Sequence, residues 1–262
     1  MMSVVSNNVV CSSGFQHLQL KDETAVTLKL EDQAEVFLEV LGGSAITIKG
    51  EVNADANARL VVWNRSETPV RFDEEYDVRG SLVLAYGDAN LAEVERKSVV
   101  HLNEQGAFAQ IKSATLCAQK KHYVIDCISH VPHTEGLIEN YSVVLVDGDY
   151  YMEATGKIDK GAYQSKSHQT SRALSMAEPQ KSVILPKLLI DENDVEASHA
   201  TSVGRMDEDQ LIYMQSRGLT LAQALSLVSS GYLMPVTGVL SDEQLSMDLK
   251  EEIERLVETL CS

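Results

Sequence analysis

The densest group of metal-ligand side chains in this sequence is Cys127, His130, His133 and Glu135, with His122 and Asp126 close by. Cys and His are common ligands of zinc and iron. An extended strand would turn Cys127 and His133 one way and His130 the other, so local geometry alone does not bring the three onto one ion. Their spacing also differs from the close pairs of zinc motifs, and whether Cys127, His130 and His133 bind metal stays open. A second group is His168 and His199, either of which could act as a general base with Asp191, Asp194 or Glu196 as orienting partner. No Gly-x-Ser-x-Gly elbow and no glycine-rich phosphate loop ending in Lys-Ser or Lys-Thr accompanies them. Hydrolase and nucleotide-binding functions therefore lack their usual parts, and any ATP would be bound by a partner. The run Asp191-Glu192-Asn193-Asp194 has oxygen ligands for a hard cation, but turns of this composition are most often solvated corners.

These residues must be positioned by a chain of 262 residues with a formal net charge of −17. That length supports one sizeable core or two modest ones without a disulfide staple. Cys11, Cys117, Cys127 and Cys261 are too widely spread for a disulfide framework, which points to a reducing compartment. The acidic balance argues against a nucleic-acid partner. No apolar run approaches the roughly 20 residues of a membrane span. Met1 to Ser13 has neither a basic stretch nor a long apolar one, so we expect a mature cytoplasmic terminus.

From Thr24 to about Gly161 short apolar-polar alternation dominates, broken by Gly, Asn and Asp. Strands are expected at 25–30, 34–40, 45–48, 58–63, 81–85, 108–111 and 142–146. Such a series builds either an antiparallel sandwich or a solenoid of stacked coils. Three segments share a turn-then-strand pattern that stacked coils would reuse: Asp55 to Leu60, Asp88 to Glu93 and Gln105 to Gln110. Their spacing is loose, and on periodicity alone both architectures remain open.

After Gly204 the pattern becomes helical. Asp207 with Gln210 reads as a cap for a helix stopping at Gly218, and Thr220 with Gln223 opens a second, closed by Gly231. Ser241 with Gln244 opens a third, whose Leu245, Leu249, Ile253, Leu256 and Leu260 form an apolar stripe. Pro235 and Gly238 mark the joint before it. Two units follow: a β-rich body at 1–204 and a helical unit at 205–262.

The stretches Gln169 to Leu174, Pro186 to Ile190, Asp194 to His199 and Gly204 to Gly218, the last ending in Ser-Arg-Gly, resemble the SufB/SufD family of iron-sulfur cluster assembly proteins; His130-Val131-Pro132-His133-Thr134 resembles it more loosely. The resemblance implies a mostly β fold, a right-handed parallel β-helix followed by a small C-terminal helical domain. It implies a non-enzymatic scaffold subunit that holds a transient iron-sulfur cluster, with no tightly bound cofactor. The implied partners are a SufC-like ABC ATPase docking on the helical domain and a second SufB/SufD-type subunit, as homo- or heterodimer. His199 becomes the implied cluster ligand, and Leu211, Tyr213, Arg217, Gly218 and Leu225 the implied ATPase contacts. The SufB branch carries a Cys near Arg172 that is missing here, and Ser198-His199 resembles the SufD branch. Ala200-Thr201-Ser202 replaces the more usual Gly-Ala-Thr, and the family's long helical N-terminal region is not seen, so a reduced or stand-alone homologue is expected. The competing expectation, from the residues alone, is a β-solenoid enzyme acting on a polysaccharide or small acid through paired carboxylates. An aromatic content of 5% gives it few platforms for sugar rings.

Overall fold

The computed structural model describes residues 2–3, 8–21, 25–176 and 182–261; Met1, Thr24 and the side chains of Leu260 and Cys261 lie outside what is described. The first strands are β1 (Met2–Ser3), β2 (Asn8–Cys11), β3 (Gly14–Leu20), β4 (Ala25–Leu30), β5 (Ala34–Val40) and β6 (Ala45–Val52). Next come β7 (Asn57–Asn64), β8 (Val70–Val78), β9 (Ser81–Asp88), β10 (Val94–Leu102), β11 (Phe108–Cys117) and β12 (Lys120–Ser129). β13 (Glu135–Val144), β14 (Asp149–Ile158), β15 (Lys166–Ser175), β16 (Ser182–Ile190) and β17 (Glu196–Gly204) complete the series. Odd-numbered strands form one sheet and even-numbered strands another, each in chain order and all parallel. This alternation is a β-solenoid, because each strand stacks on the one two before it. The sandwich alternative is excluded.

Alternation within a strand separates interior from exterior. In β8, Val70, Phe72, Tyr76 and Val78 are buried while Arg71, Asp73 and Glu75 are exposed. The coil lengthens along the stack: the step in sequence from Gly14 to its register partner Ala34 is much shorter than the step from Tyr150 to Ser182. The repeat is loose in sequence for that reason. Ala58 and Ala109 both pair with Leu82, so two of the three corner segments do stack, two rungs apart. Asp88 to Glu93 lies at a different corner, where the chain leaves β9 for β10. Corner backbone is satisfied rung to rung: Ser81 donates to the Ala56 carbonyl (2.8 Å), Glu135 to that of Ala107 (3.0 Å) and Lys166 to that of Thr134 (2.8 Å).

The interior changes character along the stack. Leu28, Val36, Ile48, Leu60 and Phe72 make it apolar at first. Further on it holds Glu74, Asp88, Arg96, Lys121, Asn140 and Ser171, all buried. The Arg96 guanidinium lies 4.0 Å from the Phe72 ring and 4.2 Å from that of Tyr86, and pairs with Glu74 and with Asp88 (3.1 Å).

Three helices follow: α1 (Glu208–Ser216), α2 (Leu221–Leu233) and, after a 3₁₀ turn at Met234–Val236, α3 (Glu243–Cys261). Asp207 accepts from the Gln210 N–H, and Thr220 with Gln223 makes a full capping box. The cap of α3 is Asp242, which accepts from the Leu245 N–H at 2.9 Å. Ser241 turns instead to the β wall, where its N–H and hydroxyl both donate to Glu35 (2.7 and 2.6 Å). α2 runs past Gly231 to Leu233, which is buried against the wall. The apolar stripe of α3 packs on the outer face of the odd-numbered sheet: Leu249, Ile253 and Val257 join Phe37, Val61 and Trp63 in a second core. Gly87, beside Trp63 in register, leaves room for the indole, since a Cβ there would come within 2.0 Å of it.

Candidate functional site

The stack ends on an open rung. Among the described residues β16 has only β14 as neighbour and β17 only β15, so each presents one backbone edge that no described strand pairs. Every residue of β17 except Val203 is exposed. On its outer side Ser198 Oγ lies 2.7 Å from His168 Nδ1. Strand alternation then turns His199 to the interior side, in register above Gln169. Gln169 is 3% exposed, and its Nε2 donates across the interior to the Lys187 carbonyl at 2.8 Å. Its Oε1 is buried with no hydrogen-bond partner. Gly156 makes the space, because a Cβ there would lie 2.0 Å from Ser167 Oγ and 2.9 Å from Gln169 Nε2. Next to this column Ser113 donates to Asn140 (2.9 Å) and Asn140 to Ser171 (3.0 Å), and Thr201 is next in register. A polar interior thus climbs to the open rung, where an imidazole offers a nitrogen lone pair at an accessible edge.

Among the described residues no hydrogen bond or ion pair joins Asp191, Asp194 or Glu196 to His168 or His199. Glu196 pairs with Lys166 at 3.3 Å. In the acidic run Glu192 accepts from the N–H groups of Gly161 and Asn193 (2.9 and 2.8 Å), which makes it a corner. The Cys127, His130 and His133 group is scattered. Cys127 points inward, its sulfur filling the space over Gly136, and burial pushes its thiol up to about 12. His130 lies at the corner after β12, between Asp159 (2.7 Å) and His101 (2.9 Å). His133 has a φ of 58° and sets its ring edge-on to Tyr163. Among the described residues no three Cys, His, Asp or Glu side chains converge as a metal site. Gln169 and the buried Arg96 group were not found from sequence; Gln169 lay inside the family-like stretch, but its orphaned oxygen is visible only in the packing.

The helical residues divide between a groove and an outer surface. Leu211 and Leu225 line a cleft of about 650 Å³ with Val146, Met176 and Met206. Tyr213 is 59% exposed with the Arg217 guanidinium 5.1 Å from its ring, and neighbouring Ile212 is 62% exposed. Gly218, at a φ of 96°, takes the left-handed turn after α1. No helix among the described residues is long and apolar enough to cross a membrane.

The SufBD core domain of the SUF system for FeS cluster assembly matches residues 45–232, from β6 through most of α2. The chain belongs to the SufBD family. It is SufD-like: it is 33% identical over 175 residues to the iron-sulfur cluster assembly protein SufD of Bacillus subtilis, covering 66% of this chain and 40% of that protein. With SufD of Escherichia coli it shares 24% identity over 166 residues, 62% of this chain and 39% of that protein. A SufBD family protein of Mycobacterium bovis is 28% identical over 264 residues, 93% of this chain and 64% of that protein. The chain thus matches about two fifths of the length of the two SufD proteins. The SufBD match includes the open rung with His199 and all of α1, and stops before α3.

Proposed function

We propose that this chain is a non-enzymatic scaffold subunit of an iron-sulfur cluster assembly complex. The observation that carries the proposal is the placement of His199 on the unpaired last rung, where a cluster can be reached from outside the stack. Residues 1–204 act as the rigid wall. The free edges of β16 and β17 pair with a second SufB/SufD-type subunit, and the cluster is carried as cargo, transiently, between the two edges with His199 as one ligand. Residues 205–262 form the unit that receives a SufC-like ABC ATPase, through the α1 surface of Tyr213 and Arg217, the Gly218 turn and the cleft of Leu211 and Leu225. ATP-driven movement of that partner pulls on the helices and opens the edge interface, all in the cytoplasm.

Purification of the chain with its genomic neighbours, followed by measurement of iron, sulfide and ATPase subunit in one complex, tests this function. Iron and sulfide in stoichiometric amounts with the ATPase support it. A chain that purifies alone and never takes up either element in the presence of those partners overturns it.

A further inference from the structure

Gln169 combines three features that a purely structural residue does not need. It is almost fully buried, it spans the interior to the opposite sheet, and half of its amide is left unused. The Lys187 carbonyl settles which half, since only the NH₂ end can donate to it at 2.8 Å. Oε1 is therefore the orphaned atom, and a buried acceptor without a donor costs about 1–3 kcal/mol. Gly156 leaves room for the donating end of the amide, since a Cβ there would lie 2.9 Å from Gln169 Nε2, and closer still, 2.0 Å, to Ser167 Oγ.

The residue in register on the next rung is His199. Adjacent strands lie about 4.8 Å apart, so a glutamine oxygen and an imidazole nitrogen on the same face are within hydrogen-bond reach after a side-chain rotation. We propose that Gln169 is a positioning residue for His199: its Oε1 accepts one imidazole N–H, which fixes the ring tautomer and turns the other nitrogen's lone pair toward the open edge. Histidines that bind metals almost always donate their second ring N–H to an oxygen in this way, and loss of the oxygen typically costs about 10–100-fold in metal affinity. On the outer side of the same two strands His168 has its own partner in Ser198 and serves as an internal reference. The proposal rests on the reading of His199 as a ligand only for its purpose; the hydrogen bond itself is measurable without any cluster.

The test is a long-range ¹H–¹⁵N spectrum of the full chain labelled in histidine, with His199 assigned from His199→Ala. Wild type should show His199 as one dominant neutral tautomer, and Gln169→Leu should relax it to a mixture while the His168 signals stay in place. The same substitution should weaken iron retention in the assembled complex by about tenfold or more. A wild-type His199 with the tautomer mixture of a free imidazole overturns the proposal, a result that needs no variant to fold. So does a folded Gln169→Leu or Gln169→Met chain with an unchanged His199 spectrum. A fixed tautomer in a chain that never holds iron keeps the positioning role and removes the ligand role, so the two failures are distinguishable.

Discussion

Glu252 on α3 accepts the indole N–H of Trp63 at 3.1 Å and the Arg65 guanidinium at 2.6 Å, which bolts the last helix to β7 of the coil stack. Arg65 also pairs with Glu39 on β5, so one network joins two rungs of the wall to the helical unit. The helices are thus seated on an apolar wall and held there by polar contacts.

Replacing Glu252 by Ala leaves the Trp63 N–H without its acceptor and removes one of the two partners of Arg65. The expected cost is about 1–3 kcal/mol in urea unfolding. Amide exchange in α3 should accelerate more than in the strands; uniform exchange rates would contradict the bolt.

The seating of α2 and α3 also changes how ATPase docking must be probed. Deleting 205–262 uncovers Phe37, Val61, Trp63, Leu116 and Val143, and such a truncation is expected to bind hydrophobic dyes and aggregate. Ile212→Glu with Tyr213→Glu instead alters side chains already in solvent, and should change stability by no more than about 0.5 kcal/mol. In a binding titration this pair should weaken a SufC-like ATPase at least tenfold. Unchanged affinity would move the docking surface elsewhere.

Within the stack, Arg96→Met leaves Glu74 and Asp88 buried without their cation, with an expected loss of about 3–5 kcal/mol. Adding Glu74→Leu removes one of the stranded carboxyls, and the double variant should be more stable than Arg96→Met alone. Equal or lower stability of the double variant in thermal unfolding would show that the charges are not what the site depends on.

Lys121 gives a pH signature. Burial brings its ammonium down to about 8 from the usual 10.5, where it donates to the carbonyls of Asp88 and Asn90. Between these values the folded chain gives up the proton first, the unfolded chain binds more protons, and stability rises with pH by up to about 1.4 kcal/mol per unit. From about pH 8 upward three buried thiols, Cys11 pushed up to about 11 and Cys117 and Cys127 to about 12, stay protonated when folded while they ionise in the unfolded chain, and they oppose the rise. Between pH 8 and 9 the stability of wild type should therefore rise relative to that of Lys121→Met, by up to about 1 kcal/mol; parallel curves would contradict the assignment.

Much of this fold was legible where burial is one-sided. Alternation located β4 and β5 to the residue, and the paired caps located α1 and α2. Strands whose interior positions carry Glu74, Arg96 or Lys121 do not stand out in the sequence, because a buried charge looks like a solvent position until its partner on a neighbouring rung is known. Coil stacking was half legible because the step between register partners grows from the Gly14–Ala34 pair to the Tyr150–Ser182 pair, so no fixed period marks it. At the open rung His199 was singled out by a family-like Ser-His pair. Gln169, one rung earlier in the same sheet, becomes visible beneath it only through the strand register.

The most direct test is anaerobic reconstitution of the complete complex with iron and sulfide, comparing wild type with His199→Ala. Wild type should retain iron and acid-labile sulfide in a constant ratio after desalting, and the variant should lose most of both while keeping its partner subunits. Iron and sulfide contents that do not change on removal of the imidazole would contradict a cluster held at the last rung.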